Sequence, residues 1–349
     1  MKTMKAVVVH KPMEWSVDDV PVPAPPAGGM LLRVRACGLC GSDLRTLRSG
    51  HKKITFPWIL GHEICGDVVE LGEGYRGAWE VGRRLSVGPL AYDPGDPQTV
   101  AGRPELATDV REIGQAWHGG LAEFIAIPRE AVEFGNIVCA PDGLESEYAA
   151  VVEPASSVVH AQERAAVALG DVVLVMGAGP IGCLHVAVAR ARGASKVFLA
   201  DVNAERLASA AVFEPDATLD VNSPEFAADV TRLSGGLGPS VVVTAAPSGA
   251  AQVTAVEIAR KGGRVVLFGG LPHDSATPDV DMNRVHYHNL TLIGVSIFAP
   301  RHFRTALELI ADGRIPVKKL VTHRFPLVDF DEGARIALDG RALKVVFLP

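Results

Sequence analysis

The stretch from Val172 to Gly182 reads V-V-L-V-M-G-A-G-P-I-G and joins an apolar strand to a Gly-x-Gly-x-x-Gly turn. A helix is predicted next, over residues 183–192, and then a second strand over residues 196–201. In this context the first glycine permits the turn, the second lets a pyrophosphate approach, and the third lets the helix pack on the strand. This order predicts the first unit of a doubly wound parallel sheet that binds a dinucleotide.

The acid that ends the second strand predicts which dinucleotide is bound. Asp201 stands nineteen residues beyond Gly182, where a carboxylate hydrogen-bonds the ribose hydroxyls and repels a 2'-phosphate. The sequence therefore predicts NAD rather than NADP, with its phosphates at the helix N-terminus. Arg206 is a further candidate, although an exposed helix arginine is commonly only solvated. The cofactor-binding residues predicted from this unit are Gly177, Gly179, Pro180, Gly182, Asp201 and Arg206.

The rest of the chain divides by the texture of its sequence. Up to about residue 150, short extended segments such as 31–36 and 66–71 alternate with Gly and Pro turns, which predicts an antiparallel, barrel-like β domain. From residue 171 to 295, strands alternate with Ala-rich helices, as in an α/β Rossmann domain. The tail, with a helix at 305–311 and a strand at 344–347, is predicted to return to the first domain. We therefore assign residues 1–155 and 296–349 to a β-rich catalytic domain, and residues 156–295 to an inserted NAD-binding domain.

Composition limits the classes of function. The chain has 349 residues, 48% of them hydrophobic and 21% charged, which predicts a globular protein of two domains. A net charge of -6 provides no general basic surface for nucleic acid or anionic membranes. The apolar runs are shorter than the roughly 20 residues of a bilayer span. The five cysteines are odd in number and scattered, so we expect reduced thiols in a cytoplasmic protein.

Four residues are candidate metal ligands, but their spacing alone leaves the question open. Cys40 follows Cys37 in a Cys-x-x-Cys pair, and no second pair exists to complete a four-cysteine zinc site. His62, Glu63 and Glu153 also have ordinary explanations, as a core histidine and two solvated acids. From the residues alone, both interpretations stand.

Five motifs follow one another along the chain: Cys-Gly-Ser-Asp at 40–43, Gly-His-Glu-Ile-Cys-Gly at 61–66, Gly-Gly-Leu-Ala-Glu-Phe at 119–124, Glu-Pro at 153–154 and the glycine turn. In this order they resemble the zinc-dependent medium-chain dehydrogenase/reductase family over nearly the whole chain. Within that family the chain is most similar to the sorbitol (polyol) and threonine dehydrogenase branch, which has Glu where the liver-type alcohol dehydrogenases have a second Cys ligand. The resemblance implies a GroES-like catalytic domain together with the Rossmann domain.

The resemblance also implies a ligand set. Cys40, His62 and Glu153 would hold one catalytic zinc, with Glu153 binding it directly or through water, and Glu63 would be able to approach the metal. Asp43 would orient the histidine. Residues 90–118 lack the four closely spaced cysteines that hold a structural zinc in many relatives. We therefore expect one zinc per subunit.

The expected path of the substrate proton begins at Ser42, which would accept the hydrogen bond of the substrate hydroxyl. Five residues after Cys40, where many relatives have a relay histidine, this chain has Arg45. His51 is a candidate for that role only by its nearness in sequence. The relay beyond Ser42 is therefore left open.

By the same resemblance, further residues would contact the cofactor. His286 and His288 flank Tyr287 on a segment that we expect to be extended, and the family pattern places no metal there. The additional cofactor contacts are Ile181, Phe268, Gly269, Gly270, Val295, Ser296 and Ile297.

The sequence thus predicts an NAD-dependent zinc oxidoreductase that takes hydride from a secondary alcohol of a polyol, cyclitol or sugar-like substrate. The zinc would act as a Lewis acid that lowers the pKa of the hydroxyl. One alternative is an amino alcohol dehydrogenase like L-threonine 3-dehydrogenase. Another, of a different class, is a non-catalytic NAD-binding sensor or structural protein. We expect a homodimer or homotetramer, without nucleic-acid or membrane partners.

Overall fold

The computed structural model describes residues 2–272 and 275–349, and the chain divides into two units. Unit 1 comprises Met1–Ser156, Phe298–Ala311 and Leu320–Pro349, and unit 2 comprises Ser157–Ile297 and Asp312–Lys319. The bounds of these units differ from the predicted division at Ser156, which lies in unit 1, and at Ser296 and Ile297, which lie in unit 2, and one longer segment differs as well. Residues 312–319 were assigned to the first domain but belong to unit 2, where the Lys319 ammonium lies 2.8 Å from a Glu214 carboxylate oxygen.

Sixteen strands are found in the described residues. They are β1 Thr3–Lys11, β2 Glu14–Pro21, β3 Met30–Gly38, β4 Glu63–Leu71, β5 Arg84–Tyr92, β6 Val110–Glu112, β7 Phe124–Ile127, β8 Gly135–Cys139, β9 Val172–Met176, β10 Lys196–Asp201, β11 Ala217–Asp220, β12 Val241–Thr244, β13 Arg264–Leu267, β14 Thr291–Gly294, β15 Val321–Pro326 and β16 Lys344–Leu348.

Thirteen α-helices accompany them in the same part of the chain. They are α1 Gly41–Ser49, α2 Pro97–Val100, α3 Arg129–Phe134, α4 Ser146–Ala150, α5 Val152–Arg164, α6 Pro180–Ala191, α7 Ala204–Ala210, α8 Phe226–Leu233, α9 Gly249–Ile258, α10 Met282–Tyr287, α11 Pro300–Ala311, α12 Val317–Leu320 and α13 Phe330–Leu338. None of these helices is both long and apolar enough to cross a lipid bilayer.

Unit 1 is built on an eight-stranded, mainly antiparallel sheet. Its main order is β15-β16-β3-β4-β5-β6, with β7 also paired to β3 and β8 to β5, while β1 and β2 form a separate hairpin. Strand β3 is central because its largely apolar sequence is buried on both faces: Leu32 and Val34 belong to the main core of the unit, and Leu31 is also buried. The predicted β-rich domain is confirmed.

Unit 2 contains a six-stranded parallel sheet with the order β11-β10-β9-β12-β13-β14. The chain starts at β9 in the middle, winds outward through β10 and β11, and then returns to the other side of β9 for β12 to β14. All four residues of β12 are buried, as expected for a parallel strand covered by helices on both faces. The predicted doubly wound fold is confirmed, and the carboxyl ends of its strands share one edge of the sheet.

The segment around His286 is not extended as predicted. It forms helix α10, which begins after Asp281, whose carboxylate accepts the backbone N–H groups of Asn283 and Arg284. His286 lies on this helix and His288 caps it, so the two side chains do not point the same way as they would on a strand. An aspartate in this position satisfies free N–H donors of the first helical turn and thereby favours a helix here.

Candidate metal and cofactor sites

The buried carboxylate of Asp43 contacts two of the predicted ligands, Cys40 and His62. Helix α1 starts just after Cys40, and Asp43 in its first turn accepts the Cys40 backbone N–H at 3.0 Å through Oδ2. The other oxygen, Oδ1, lies 3.3 Å from Nδ1 of His62. Asp43 therefore fixes both the start of the helix and the orientation of the imidazole, as the resemblance implied.

The third member of the cluster follows His62 directly. Single ligand atoms of Cys40, His62 and Glu63 lie within 4.8 Å of one another. The corner before them requires glycine, because Gly61 has a φ of +100° and a Cβ there would lie 2.7 Å from Sγ of Cys37. The local backbone thus brings a thiol, an imidazole and a carboxylate to one point.

The cluster favours positive charge at His62. Burial by itself would lower the pKa of His62, but the charges and hydrogen bonds of Asp43 and Cys40 raise it well above its ordinary value. Since Nδ1 faces Asp43, Nε2 is the atom that a metal would bind. Sulfur, imidazole nitrogen and carboxylate oxygen are the ligands that zinc takes in proteins. The residues present therefore fit a zinc ion.

Glu63 has a second partner that the sequence did not indicate. Lys344 donates to both of its carboxylate oxygens, at 2.7 and 3.0 Å, and the two side chains are 4% and 0% exposed. Burial would lower the pKa of Lys344, yet the nearby charges of Glu63 and Cys40 raise it. A lysine that opens a strand is usually solvated, so the sequence held no signal for this pair.

Glu153 lies near the cluster but is not one of its three closely grouped members. It stands in the first turn of α5. Burial raises its pKa to about 8, with Glu63 and Glu112 adding to the effect and His62 and Lys344 opposing it. These charges act on Glu153 because it is close to them, which is compatible with either a direct or a water-mediated contact to the metal.

Glu112, at the end of β6, is a second acid that the sequence analysis missed. It is half-buried, and its carboxylate accepts a hydrogen bond of 2.7 Å from the Gln115 amide. Burial raises its pKa, while the charges of His62 and Lys53 lower it and that of Asp43 raises it. Nothing in its sequence context marks it, because a single acid in a short polar strand is ordinary.

The proposed start of the proton path is next to the cluster. Oγ of Ser42 lies 3.4 Å from Nε2 of His62. Arg45 is exposed, and His51 is half-buried with its Nδ1 accepting the Lys53 backbone N–H at 3.3 Å. No hydrogen bond links His51 to Ser42 among the described residues, so nothing in this part of the chain assigns the relay beyond Ser42 to His51.

In unit 2 the three glycines of the turn each meet a different steric demand. Gly177 has a φ of +118°, which few other residues adopt. A Cβ on Gly182 would lie 1.8 Å from the Gly177 carbonyl oxygen, so only glycine lets α6 start this close to the turn. A Cβ on Gly179 would meet no atom within 4 Å. That open space is where a pyrophosphate is expected, with Pro180 and Ile181 opening the helix.

Asp201 is at the end of β10 as predicted, and it also holds the turn. Its Oδ2 accepts the Ala178 backbone N–H at 2.7 Å, and its Oδ1 accepts that of Asn203 at 2.9 Å. Each carboxylate oxygen keeps a second lone pair that a ribose hydroxyl could use. Arg206 is exposed on α7, and nothing in the structure gives it a specific role.

The remaining predicted cofactor residues follow the strands on the other side of β9. The Phe268 ring packs edge-on against His185, with centroids 4.9 Å apart, and a Cβ on Gly269 would lie 2.4 Å from the Ala246 carbonyl oxygen. The Ile297 carbonyl oxygen accepts a hydrogen bond of 2.8 Å from Nδ1 of His160. Gly270, Val295 and Ser296 complete the set at this edge of the sheet.

Two family profiles match the chain. The profile described as an alcohol dehydrogenase GroES-like domain matches residues 26–136, and the profile described as a zinc-binding dehydrogenase matches residues 180–312. The first contains the Cys40–His62–Glu63 cluster, and the second begins in the glycine turn.

The chain is also similar along its whole length to curated proteins and to solved structures. L-galactonate-5-dehydrogenase of Escherichia coli K12 is 30% identical over 334 residues, which covers 95% of this chain and 94% of that protein. L-threonine 3-dehydrogenase of Rhizobium rhizogenes is 33% identical over 352 residues, 98% of each chain. A structure from Sinorhizobium meliloti, described as a zinc-binding dehydrogenase bound to NADP, aligns over all of both chains with a TM-score of 0.90 at 29% identity.

Proposed function

Because the chain belongs to the zinc-dependent medium-chain dehydrogenase family and is a zinc alcohol dehydrogenase, we propose that it oxidises a secondary alcohol of a polyol, cyclitol or sugar-like substrate with NAD. The observation that carries this proposal is the buried group of Cys40, His62 and Glu63 with Ser42 beside it. The relative that acts on galactonate supports a polyhydroxylated substrate.

Residues of the chain would bind the metal and accept the hydrogen bond of the substrate hydroxyl next to the reacting carbon. Zinc, when bound by Cys40, His62 and Glu153, supplies a Lewis acid that lowers the pKa of the substrate hydroxyl. Ser42 would accept the hydrogen bond of that hydroxyl and begin the path of its proton to solvent, while the carbinol carbon loses hydride to the nicotinamide. The substrate is thereby oxidised to a ketone and NAD is reduced to NADH.

We propose NAD as the cofactor and a single zinc per subunit. The buried carboxylate of Asp201 at the end of β10 supports NAD, because it would repel a 2'-phosphate. The related Sinorhizobium protein holds NADP, so the choice needs a direct measurement. The absence of cysteine between residues 90 and 118 supports a single zinc. A cytoplasmic homodimer or homotetramer, without nucleic-acid or membrane partners, is proposed on the same family grounds.

An amino alcohol is the second candidate substrate, since a relative of nearly equal similarity is named for threonine. The other alternative, a non-catalytic NAD-binding protein, is not supported, because the relatives are dehydrogenases.

The test is a substrate and cofactor panel on protein whose zinc content is measured in the same sample. We expect one zinc per chain. NADH should form faster than NADPH, and NADH formation should be faster with at least one polyol or cyclitol than with threonine. Cys40→Ala should lose both the zinc and the activity, whereas Cys139→Ala, a free cysteine outside the cluster, should keep both. Full activity of a metal-free preparation, or a clear preference for threonine, would contradict the proposal.

A further inference from the structure

Helix α1 and the loop after it carry five basic residues. Arg48 donates a hydrogen bond to the Leu338 carbonyl oxygen. We call the other four, Arg45, His51, Lys52 and Lys53, the basic rim. Arg45, Lys52 and Lys53 are exposed. Among the residues that the structure describes, none of these three has an ion pair or a side-chain hydrogen bond. Three permanent positive charges therefore lie close together in the sequence without a counter-charge.

The four groups are also close together in space. The pKa of His51 is lowered by its partial burial and then by the charges of Lys53, Lys52 and Arg45. The loop turns back on itself, because Nδ1 of His51 accepts the Lys53 backbone N–H and the Ile54 N–H donates to the His51 carbonyl oxygen. Positive charge is thus concentrated on one small surface.

The basic rim lies beside the metal residues of unit 1. Ser42 and Arg45 are three residues apart on α1 and so share one face of the helix, while Asp43, Thr46 and Leu47 form its buried side. Oγ of the half-buried Ser42 contacts Nε2 of His62, whereas Arg45 is exposed.

We propose that the basic rim binds the anionic end, a carboxylate or a phosphate, of a polyol substrate whose reacting hydroxyl lies at Ser42. This inference deepens the proposed function and rests on it. No carboxylate of the described residues forms an ion pair with Arg45, Lys52 or Lys53, so their charges are available to an anionic ligand. The planar guanidinium of Arg45 matches either anion with two parallel hydrogen bonds.

The experiment compares three matched substrates: a neutral polyol, the sugar acid made by oxidising its end, and its terminal phosphate. We expect the wild-type enzyme to favour at least one anionic form by about tenfold or more in kcat/KM, which corresponds to one charge-assisted hydrogen bond. The Arg45→Gln/Lys53→Gln variant should lose that preference through KM and keep its rate with the neutral polyol. The control Arg76→Gln removes an exposed arginine from the turn after β4 and should change neither.

A preference for the acid identifies a carboxylate ligand and a preference for the phosphate identifies a phosphate ligand; both support the proposal. An equal or greater rate with the neutral polyol in the wild type, or a preference that survives in the double variant, would overturn it.

Failure of all three substrates would count against the proposed function itself. Ligand-observed NMR with gluconate and inorganic phosphate then tests the rim without turnover. Weaker binding by the double variant than by the wild type supports the proposal, and equal or absent binding overturns it.

Discussion

At the scale of single residues, Lys344 shows most clearly how the fold completes the candidate site. Its ammonium and the Glu63 carboxylate are both buried, so each charge depends on the other for solvation. Glu63 therefore has a fixed position opposite Cys40 and His62. The resemblance implied that Glu63 would be able to approach a metal. The structure shows in addition that the Lys344 ammonium is paired with its carboxylate.

Removing this cation should be costly. We expect Lys344→Met to lower the free energy of unfolding by about 3–5 kcal/mol, because it leaves the Glu63 charge buried without a partner. Urea unfolding measures the loss. The double variant Lys344→Met/Glu63→Gln should recover much of it, since neither charge is then buried alone.

The matched control for this prediction is the exposed pair of Lys5 and Asp19, whose charged atoms are also 2.7 Å apart. There, Lys5→Met should cost at most about 1 kcal/mol, because water solvates the remaining acid. Equal losses for the buried and the exposed pair would show that burial is not the cause.

At the scale of elements, two glycines of the turn between β9 and α6 are expected to have different roles. Gly182 is required for packing, and Gly179 leaves space for the ligand. Gly179→Ala adds a methyl group to open space, and the φ of -76° at this position suits any residue. We expect the stability to change by no more than about 0.5 kcal/mol. NADH affinity should fall by about tenfold or more, because the methyl group occupies the approach of the pyrophosphate.

Gly182→Ala should show the opposite balance. Its methyl group would collide with the backbone oxygen of Gly177, which cannot move as a side chain could. A loss of at least about 1–3 kcal/mol in stability is expected. Thermal unfolding and a fluorescence titration with NADH, run on both variants, distinguish the two effects. If Gly179→Ala left NADH affinity unchanged, the phosphate position would have to be sought elsewhere.

Elements with strong local signals were predicted well. The strands at 172–176, 196–201 and 241–244 match the structure, because apolar runs between turn residues indicate buried parallel strands. Helix α10 was missed, since its signal is a single capping aspartate rather than a repeating pattern.

At the scale of the whole molecule, stability should depend on pH through a histidine that the proposed mechanism does not use. His185 is fully buried on α6, and burial lowers its pKa to about 3. The folded chain thus keeps this imidazole neutral, whereas the unfolded chain protonates it below about pH 6.5. Its contribution to stability is complete above pH 6.5 and is lost progressively as the pH falls toward 3.

We therefore expect the free energy of unfolding to fall between about pH 6.5 and pH 4, with His185 contributing up to about 1.4 kcal/mol per pH unit. Urea unfolding of the wild type and of His185→Leu across this range measures the slope. The variant should give a flatter dependence. His10→Asn, which changes an exposed histidine on β1, serves as the control and should keep the wild-type slope. Parallel slopes for His185→Leu and the wild type would rule out this source.

The sequence by itself determined the parallel α/β domain, the β-rich domain and the glycine turn. These features depend on local periodicity and on backbone conformations that few residues adopt, so each is written within a short stretch of chain. It also supplied Cys40, His62, Glu63 and Glu153 as candidate ligands, through a resemblance rather than through spacing.

Only the tertiary structure decided what surrounds those residues. Lys344 and Glu63 are 281 positions apart in the chain, and Glu112 meets the charges of His62 and Lys53 from a different strand. Asp201 proved to hold the glycine turn as well as to end its strand. Such contacts are set by how separate elements pack, and the pairing of distant side chains leaves no periodic trace in the sequence.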